Sequence, residues 1–131
     1  MIRKIAVHEV MTTRLVTIGP EASINDAIHL LLEHEVSGLP IVDDQGYLVG
    51  MLTEQDCLRS AYRSGYYQDP DRTIAEAMTH DVTTIDADED LMIATTLFLK
   101  RSFRRLPVLR EGRLVGVVSR RDALRALRML W

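Results

Sequence analysis

The side chains best suited to chemistry fall in two stretches, GMLTEQD at residues 50–56 and GVVSRRD at residues 116–122. Both share one frame: glycine, two apolar residues, serine or threonine, two polar residues, aspartate. The pattern reads as an apolar strand delivering the chain into a helix start. The first N–H groups of a helix lack internal partners and carry partial positive charge, which favours an anion. A hydroxyl at the cap, Thr53 or Ser119, can donate to a phosphate oxygen. A carboxylate one turn on, Asp56 or Asp122, can accept both hydroxyls of a ribose, as acidic side chains do in dinucleotide sites. Each stretch thus has the parts to hold a nucleotide. The same spacing is also a helix capping box, which needs no ligand. Ser23 and Asp26 repeat it on another helix, so spacing alone leaves the pure cap as an alternative.

Other chemistries find little support. Cys57 is the only cysteine, which excludes an internal disulfide and a cysteine-built metal site. It follows the first aspartate on an apolar face and reads as a small core residue. His29 and His34 are five apart, off the i, i+4 spacing of a helical metal pair, and His8 and His80 stand in turns or near the N-terminus. No G-x-S-x-G turn and no G-x-x-x-x-G-K-[ST] loop occurs. The chain reads as a binding protein rather than an enzyme, with no catalytic residue, catalytic cofactor or metal.

The elements that position these residues occur twice. HEVMT matches AEAMT, LVTI matches VTTI and SGLPIV matches RRLPVL, each at an offset of 67. The offset then becomes 66, because DDQG is one residue longer than REG, and YLVGMLTEQD matches RLVGVVSRRD. The expected organisation is repeat 1 at 1–64, a linker at 65–72 containing Gly65 and Pro70, and repeat 2 at 73–131, the two forming one compact module. Each copy reads as β-α-β-β-α. A short apolar strand is expected at residues 15–18. A helix capped by Ser23 should bury Ile24, Ala27, Ile28, Leu31 and Leu32, matched in the second copy by Leu91, Ala94, Thr95, Phe98 and Leu99. A hairpin turning at DQG follows. The last helix should bury Leu58 and Ala61 in the first copy, and Ala123, Leu124 and Leu127 in the second. Met11 and Met78 read as core residues at segment ends. Trp131 could close a core edge or a subunit interface.

The chain has 131 residues, 47% of them apolar, a net charge of -3 and a pI near 5.8. That is one domain's length with enough apolar content for a core, and the acidic total disfavours a general nucleic-acid coat protein. The apolar run at residues 91–99 is far short of the ~20 a membrane helix needs. The N-terminus shows no long apolar core and no small-residue cleavage site, so a cytoplasmic setting without a signal peptide is expected.

The ordered series VMT…LVTI…SGLPIVDDQGYLVGMLTEQD and AMT…VTTI…RRLPVLREGRLVGVVSRRD resembles a pair of CBS repeats, the family named after cystathionine β-synthase. The resemblance spans almost the whole chain and points to its stand-alone members. It implies an α/β fold of two pseudo-symmetric halves packed through their sheets. It also implies clefts for AMP, ADP, ATP or S-adenosylmethionine as regulatory ligands, and control of a partner protein. Carried over by position, the ribose acceptors are Asp56 and Asp122, and the phosphate-side hydroxyls are Thr53 and Ser119. Adenine would lie near Leu15, Val16 and Thr17 in one cleft and Val82, Thr83 and Thr84 in the other. The residues just before the LP motif approach the phosphates: Ser37 and Gly38 in repeat 1, Arg104 and Arg105 in repeat 2. Pro40 in repeat 1, and Pro107 and Arg121 in repeat 2, are further candidate ligand-binding residues.

The two clefts differ in charge. Residues 31–59 hold six acidic and one basic residue, residues 98–125 nine basic and two acidic. Guanidinium forks suit phosphate oxygens, so the second cleft should prefer a phosphorylated adenosine. The first should be empty or take a neutral or cationic adenosyl group. Those arginines could instead form a solvated face or pair with acidic groups. Outside its core stripe the helix from Leu91 carries Met92, Ile93 and Leu97, and such an all-round apolar helix suits a homodimer. The alternatives are a scaffold or interaction module with vestigial clefts and, less favoured, nucleic-acid binding through the basic half. The partner under control and the process it serves have no signature in the sequence.

Overall fold

The computed structural model describes residues 4–67, 71, 73–100 and 103–130. Pro70 and Trp131 lie outside them. The chain is a mixed α/β protein with five α-helices and two sheets among the described residues. No helix there is long and apolar enough to cross a membrane.

Two compact units emerge, and their boundaries are not those of the repeats. One is continuous, Val16–Val82. The other is discontinuous, made of the residues up to Leu15 and those from Thr83 onward. Each repeat's leading segment therefore belongs to the unit that carries the other repeat's hairpin.

In the continuous unit, α1 (Ile24–His34) starts at Ser23, whose hydroxyl accepts the Asp26 N–H at 3.0 Å. Strands β1 (Gly38–Val42) and β2 (Leu48–Thr53) form an antiparallel hairpin. The Asp43 carboxylate shapes its turn by accepting the N–H groups of Gln45 and Tyr47, both at 2.9 Å. Helix α2 (Glu54–Tyr67) follows directly, then the short α3 (Ile74–Ala77). Leu39, Ile41 and Leu52 from the hairpin pack with Ala27, Leu31, Cys57, Ile74 and Met78.

The discontinuous unit repeats the plan. Strand β3 (Ile85–Asp86) pairs parallel with β4 (Arg105–Arg110), and β4 pairs antiparallel with β5 (Arg113–Ser119). Glu111 and Gly112, both at positive φ, close that hairpin with the two-residue turn expected of its shorter loop. Helices α4 (Leu91–Lys100) and α5 (Arg120–Leu130) complete the unit. The N-terminal segment docks here: the Leu91 N–H donates to the Ile5 carbonyl at 2.8 Å and the Val7 N–H to the Glu89 carbonyl at 2.8 Å. Ile5 and Val7 enter the core with Leu91, Ala94, Leu106, Val108 and Val118.

Several expectations need correction. The strand expected at residues 15–18 is a single parallel bridge, Ile18 to Ile41; its two-residue counterpart is β3. The expected linker start, Gly65, lies inside α2. In α2, Leu58 is 70% exposed and Ala61 is exposed, whereas Asp56, Cys57 and Ser60 are buried. In α5, Leu124 is exposed, Leu127 is half-buried, and Asp122, Ala123 and Ala126 are buried. The physical cause is the strand–helix joint. The aspartate must fold back onto its cap residue, so its own face turns inward and the leucine two positions on turns out. Leu32 and Leu99 are exposed for a simpler reason: they lie at the edge of stripes already filled by Ala27 and Leu31, or by Leu91 and Ala94. Leu97, expected outside the stripe, packs partly on the core.

The repeated glycines of the LVG motif explain why the leading segments cross. Strand β2 bonds with Thr79 through Met51 N–H to Thr79 O at 2.9 Å and the reverse bond at 2.8 Å. Strand β5 bonds likewise with Thr12 through Val117, at 2.9 and 3.0 Å. Met78 then lies over Gly50 and Met11 over Gly116, where any Cβ would collide with the methionine. The MT dipeptide of one repeat is thus keyed into the LVG glycine of the other.

Candidate functional site

Each hairpin brings the predicted polar residues to one end. The register pairs Gly38 with Thr53 and Arg105 with Ser119, so the residues before the LP motif lie beside the helix cap. The Ser37 carbonyl accepts the Glu54 N–H at 2.9 Å, and the Arg104 carbonyl accepts the Arg120 N–H at 3.1 Å. Both joints are therefore the same backbone device.

Both aspartates are buried, each 6% exposed. Each forms a reciprocal capping box. Thr53 N–H donates to Asp56 Oδ2 at 2.9 Å and Asp56 N–H donates to Thr53 Oγ1 at 3.2 Å. Ser119 N–H donates to Asp122 Oδ2 at 2.9 Å and Asp122 N–H donates to Ser119 Oγ at 3.0 Å. The cap residue, the first helical residue and the third have thus spent their N–H groups. The free-donor basis of an anion site at these helix starts is largely removed, and attraction for phosphate has to come from side chains.

Two partners were not anticipated. Arg59 Nη1 donates to Asp56 Oδ1 at 3.1 Å, and Arg125 Nη1 donates to Asp122 Oδ1 at 3.0 Å. The signal was present: in both copies an arginine stands three residues after the aspartate, one helical turn on. The arginines are 55% and 68% exposed at the side chain, so each pair contributes little stability, of order 0–1 kcal/mol. Their effect is on geometry, since they orient the carboxylate at Oδ1 while the cap holds Oδ2. The third finding is an asymmetry. The Thr12 hydroxyl donates to Asp122, with its nearer oxygen at 3.3 Å. Asp122 thus has one more contact than the interactions described for Asp56.

The remaining predicted residues are distributed as follows. Val16, Thr17 and Gly38 are half-buried, Ser37 is exposed and Pro40 is buried, all in the continuous unit with Thr53 and Asp56. Thr83 and Thr84 are half-buried, Arg104, Arg105 and Arg121 are exposed and Pro107 is buried, all in the discontinuous unit with Ser119 and Asp122. Leu15 and Val82, both half-buried, fall on the other side of the unit boundary from the residues grouped with them. The bridge from Ile18 to Ile41 sets Thr17 near the start of β1's partner segment, and Ile85 to Val108 does the same for Thr84. Burial pushes the Cys57 thiol pKa up, with Asp56 and Glu54 adding to the shift, so the thiol is a poor nucleophile. Among the described residues no three His, Cys, Asp or Glu side chains converge as a metal site.

The two strand–helix joints hold the same box at equivalent positions and differ in charge around it. Arg104, Arg105, Arg120 and Arg121 stand where the other unit has Ser37, Gly38, Glu54 and Gln55. That is four positive charges against one negative at equivalent places.

Comparison with known proteins places this geometry. The CBS domain family model matches residues 7–63 and again residues 74–129. The uncharacterized protein MJ1225 of Methanocaldococcus jannaschii is 34% identical over 125 residues, covering 95% of this chain and 44% of that protein. The chain thus spans less than half the length of that relative. Among solved structures, CBSX2 in complex with AMP is similar with a TM-score of 0.84 and 32% identity, covering 95% of this chain and 96% of the other. The CBS domain pair of MJ0100 in complex with 5′-methylthioadenosine and S-adenosyl-L-methionine gives a TM-score of 0.79 at 28% identity, covering 97% of this chain and 98% of the other. The chain belongs to the CBS domain family and carries two CBS domains in tandem.

Proposed function

We propose that this CBS pair binds adenosine-containing ligands and uses them to regulate a partner protein. The observation that carries the reading is the pair of buried carboxylates, Asp56 and Asp122, each fixed at the mouth of a strand–helix joint. An ionised carboxylate has about four lone-pair sites; the capping N–H and the arginine use two on each aspartate, and the Thr12 hydroxyl takes a third on Asp122, a contact that one ribose hydroxyl would have to replace. Capping and ribose binding are therefore compatible roles for one side chain. Support also comes from CBSX2, bound to AMP, and from MJ0100, bound to 5′-methylthioadenosine and S-adenosyl-L-methionine.

In this reading Asp122 and Asp56 accept the ribose hydroxyls, and Ser119 or Thr53 donates to the phosphate side. Adenine lies along Thr83 and Thr84 or along Val16 and Thr17, with Leu15 and Val82 at the margins. Arg104, Arg105 and Arg121 attract the phosphates of AMP, ADP or ATP to the second repeat. The first repeat, with Ser37, Gly38 and Gln55 in their place beside Pro40, suits a neutral or cationic adenosyl group such as that of S-adenosylmethionine. The working form is a homodimer in the cytoplasm, and no reaction is catalysed.

A scaffold with vestigial clefts is the second reading. The completeness of the two capping boxes favours it, since both carboxylates are held without a ligand. Calorimetric titration with AMP, ATP and S-adenosylmethionine separates the two. Saturable binding that Asp56→Ala or Asp122→Ala weakens supports the sensor, and no heat for any ligand supports the scaffold.

A further inference from the structure

The Thr12 hydroxyl that reaches Asp122 comes from the other repeat. Its leading segment lies against β5, held by Thr12 N–H to Val117 O at 2.9 Å and Val117 N–H to Thr12 O at 3.0 Å. Val117 stands two residues before the cap Ser119, so Thr12 lies beside the strand–helix joint. Its hydroxyl is 3.3 Å from Asp122 Oδ2 and 3.5 Å from Oδ1, so one donor is shared between both oxygens. A shared bond of this length is weak, and Thr12 is exposed, so the hydroxyl can turn away to water.

The continuous unit has the same backbone arrangement without that contact. Thr79 pairs with Met51, two residues before the cap Thr53. Among the described residues the Thr79 hydroxyl makes no bond to Asp56, whose carboxylate is held by the Thr53 N–H and Arg59. Asp56 therefore keeps about two open lone-pair sites, and Asp122 about one.

We propose that the Thr12 hydroxyl is a built-in competitor for ribose at Asp122, which lowers the affinity of the second repeat for adenosine ligands and weakens its discrimination between ribose and deoxyribose. The inference rests on the reading of Asp122 as a ribose acceptor and adds the residue that tunes it. A ribose offers two hydroxyls, and Asp122 has room for one. The other bonds only when Thr12 turns away, so a ribose bond replaces a threonine bond. A deoxy ligand without that hydroxyl leaves Thr12 in place and forfeits nothing at that lone pair. Only the side chain has to rotate; the backbone bonds to Val117 and the seat of Met11 over Gly116 remain.

Calorimetry on a chain carrying Asp56→Ala, so that only the second repeat is read, decides it. Where that chain does not melt cooperatively, Asp56→Asn, which keeps a cap acceptor, takes its place. The ligands are AMP and the two deoxy forms of AMP that each lack one ribose hydroxyl. Added Thr12→Val is expected to raise AMP affinity by about three- to ten-fold, the equivalent of one hydrogen bond no longer displaced. At least one deoxy form should gain nothing, so its deficit against AMP widens by the same factor. Thr12→Ser should keep the wild-type values. An AMP affinity that Thr12→Val leaves unchanged or lowers, while Asp122→Ala still weakens binding, overturns the competitor and leaves the ribose reading standing. Equal gains for AMP and both deoxy forms overturn it too, because the effect would then be steric. No AMP binding by the folded Asp56 variant, or binding that Asp122→Ala leaves untouched, removes the ribose reading of Asp122 and the inference with it.

Discussion

Replacing Gly50 by alanine tests the segment exchange that builds both units. The new Cβ would stand 2.5 Å from Met78 Sδ, 3.0 Å from Met78 Cγ and 2.9 Å from the Thr79 carbonyl oxygen. The methionine can swing away, but the carbonyl cannot. It accepts the Met51 N–H at 2.9 Å, so retreat strains the two bonds between Met51 and Thr79. Overpacking of this kind costs about 1–3 kcal/mol, and weakened backbone bonds add about 0.5–1.5 kcal/mol each. The lower chain entropy of unfolded alanine offsets about 0.4–1 kcal/mol. A net loss of about 2–3 kcal/mol follows, roughly a 10 °C fall in Tm for a chain of this size. Gly116→Ala should cost less, about 1–2 kcal/mol, because the Thr12 carbonyl stands further off, at 3.1 Å. Denaturant unfolding of the single variants, of Met11→Ala and Met78→Ala, and of the two doubles is the assay. The Gly116→Ala/Met11→Ala pair should show a coupling of at least about 1 kcal/mol, since the methionine is the main obstacle there. Losses below about 0.5 kcal/mol for both glycine variants, with additive doubles, would refute the keyed exchange.

Further expectations are smaller in scope. Arg105→Ala should weaken AMP and ATP by about ten-fold or more, the equivalent of a lost charged hydrogen bond, and leave adenosine almost unchanged; equal losses would make Arg105 a structural residue. That loss should shrink as salt rises, because part of it is screened Coulomb attraction. Arg125→Met should cost less than about 1 kcal/mol of stability, given its exposure, yet weaken adenosine itself by freeing Asp122 Oδ1; a variant with unchanged adenosine affinity would leave the arginine no positioning role. The raised Cys57 pKa gives a pH expectation. Above the ordinary thiol value the unfolded chain loses this proton first and the folded chain keeps it, so stability falls as pH rises there. Cys57→Ala should flatten that alkaline decline, and an unchanged slope would show that the thiol does not contribute.

The sequence was most legible where one periodicity acted alone. The hairpins, the Ser23 cap and the stripe through Ala27 and Leu31 are local consequences of pattern, and the duplication made them readable twice. The helices after the hairpins were harder. Their inward face is chosen by the folded-back aspartate, not by apolar content, so Leu58 and Leu124 turn out despite their hydrophobicity. The exchange of leading segments was hidden for another reason. Met11 over Gly116 and Met78 over Gly50 are contacts far apart in sequence, and a repeat read linearly keeps each methionine with its own copy. The aspartates and cap hydroxyls were found from spacing, as was the capping box they form. Arg59 and Arg125 stood in the same frame one turn later, and their role appears only with the carboxylate orientation in view.

Titration calorimetry with AMP on the wild-type chain, on Asp122→Ala and on the Asp56→Ala/Asp122→Ala double variant tests the central claim most directly. The account predicts saturable binding by the wild-type chain, a loss of about ten-fold or more on Asp122→Ala, and no measurable binding by a double variant that still melts cooperatively. Binding of undiminished affinity by a folded double variant would contradict it, because the buried carboxylates would then be caps and nothing more.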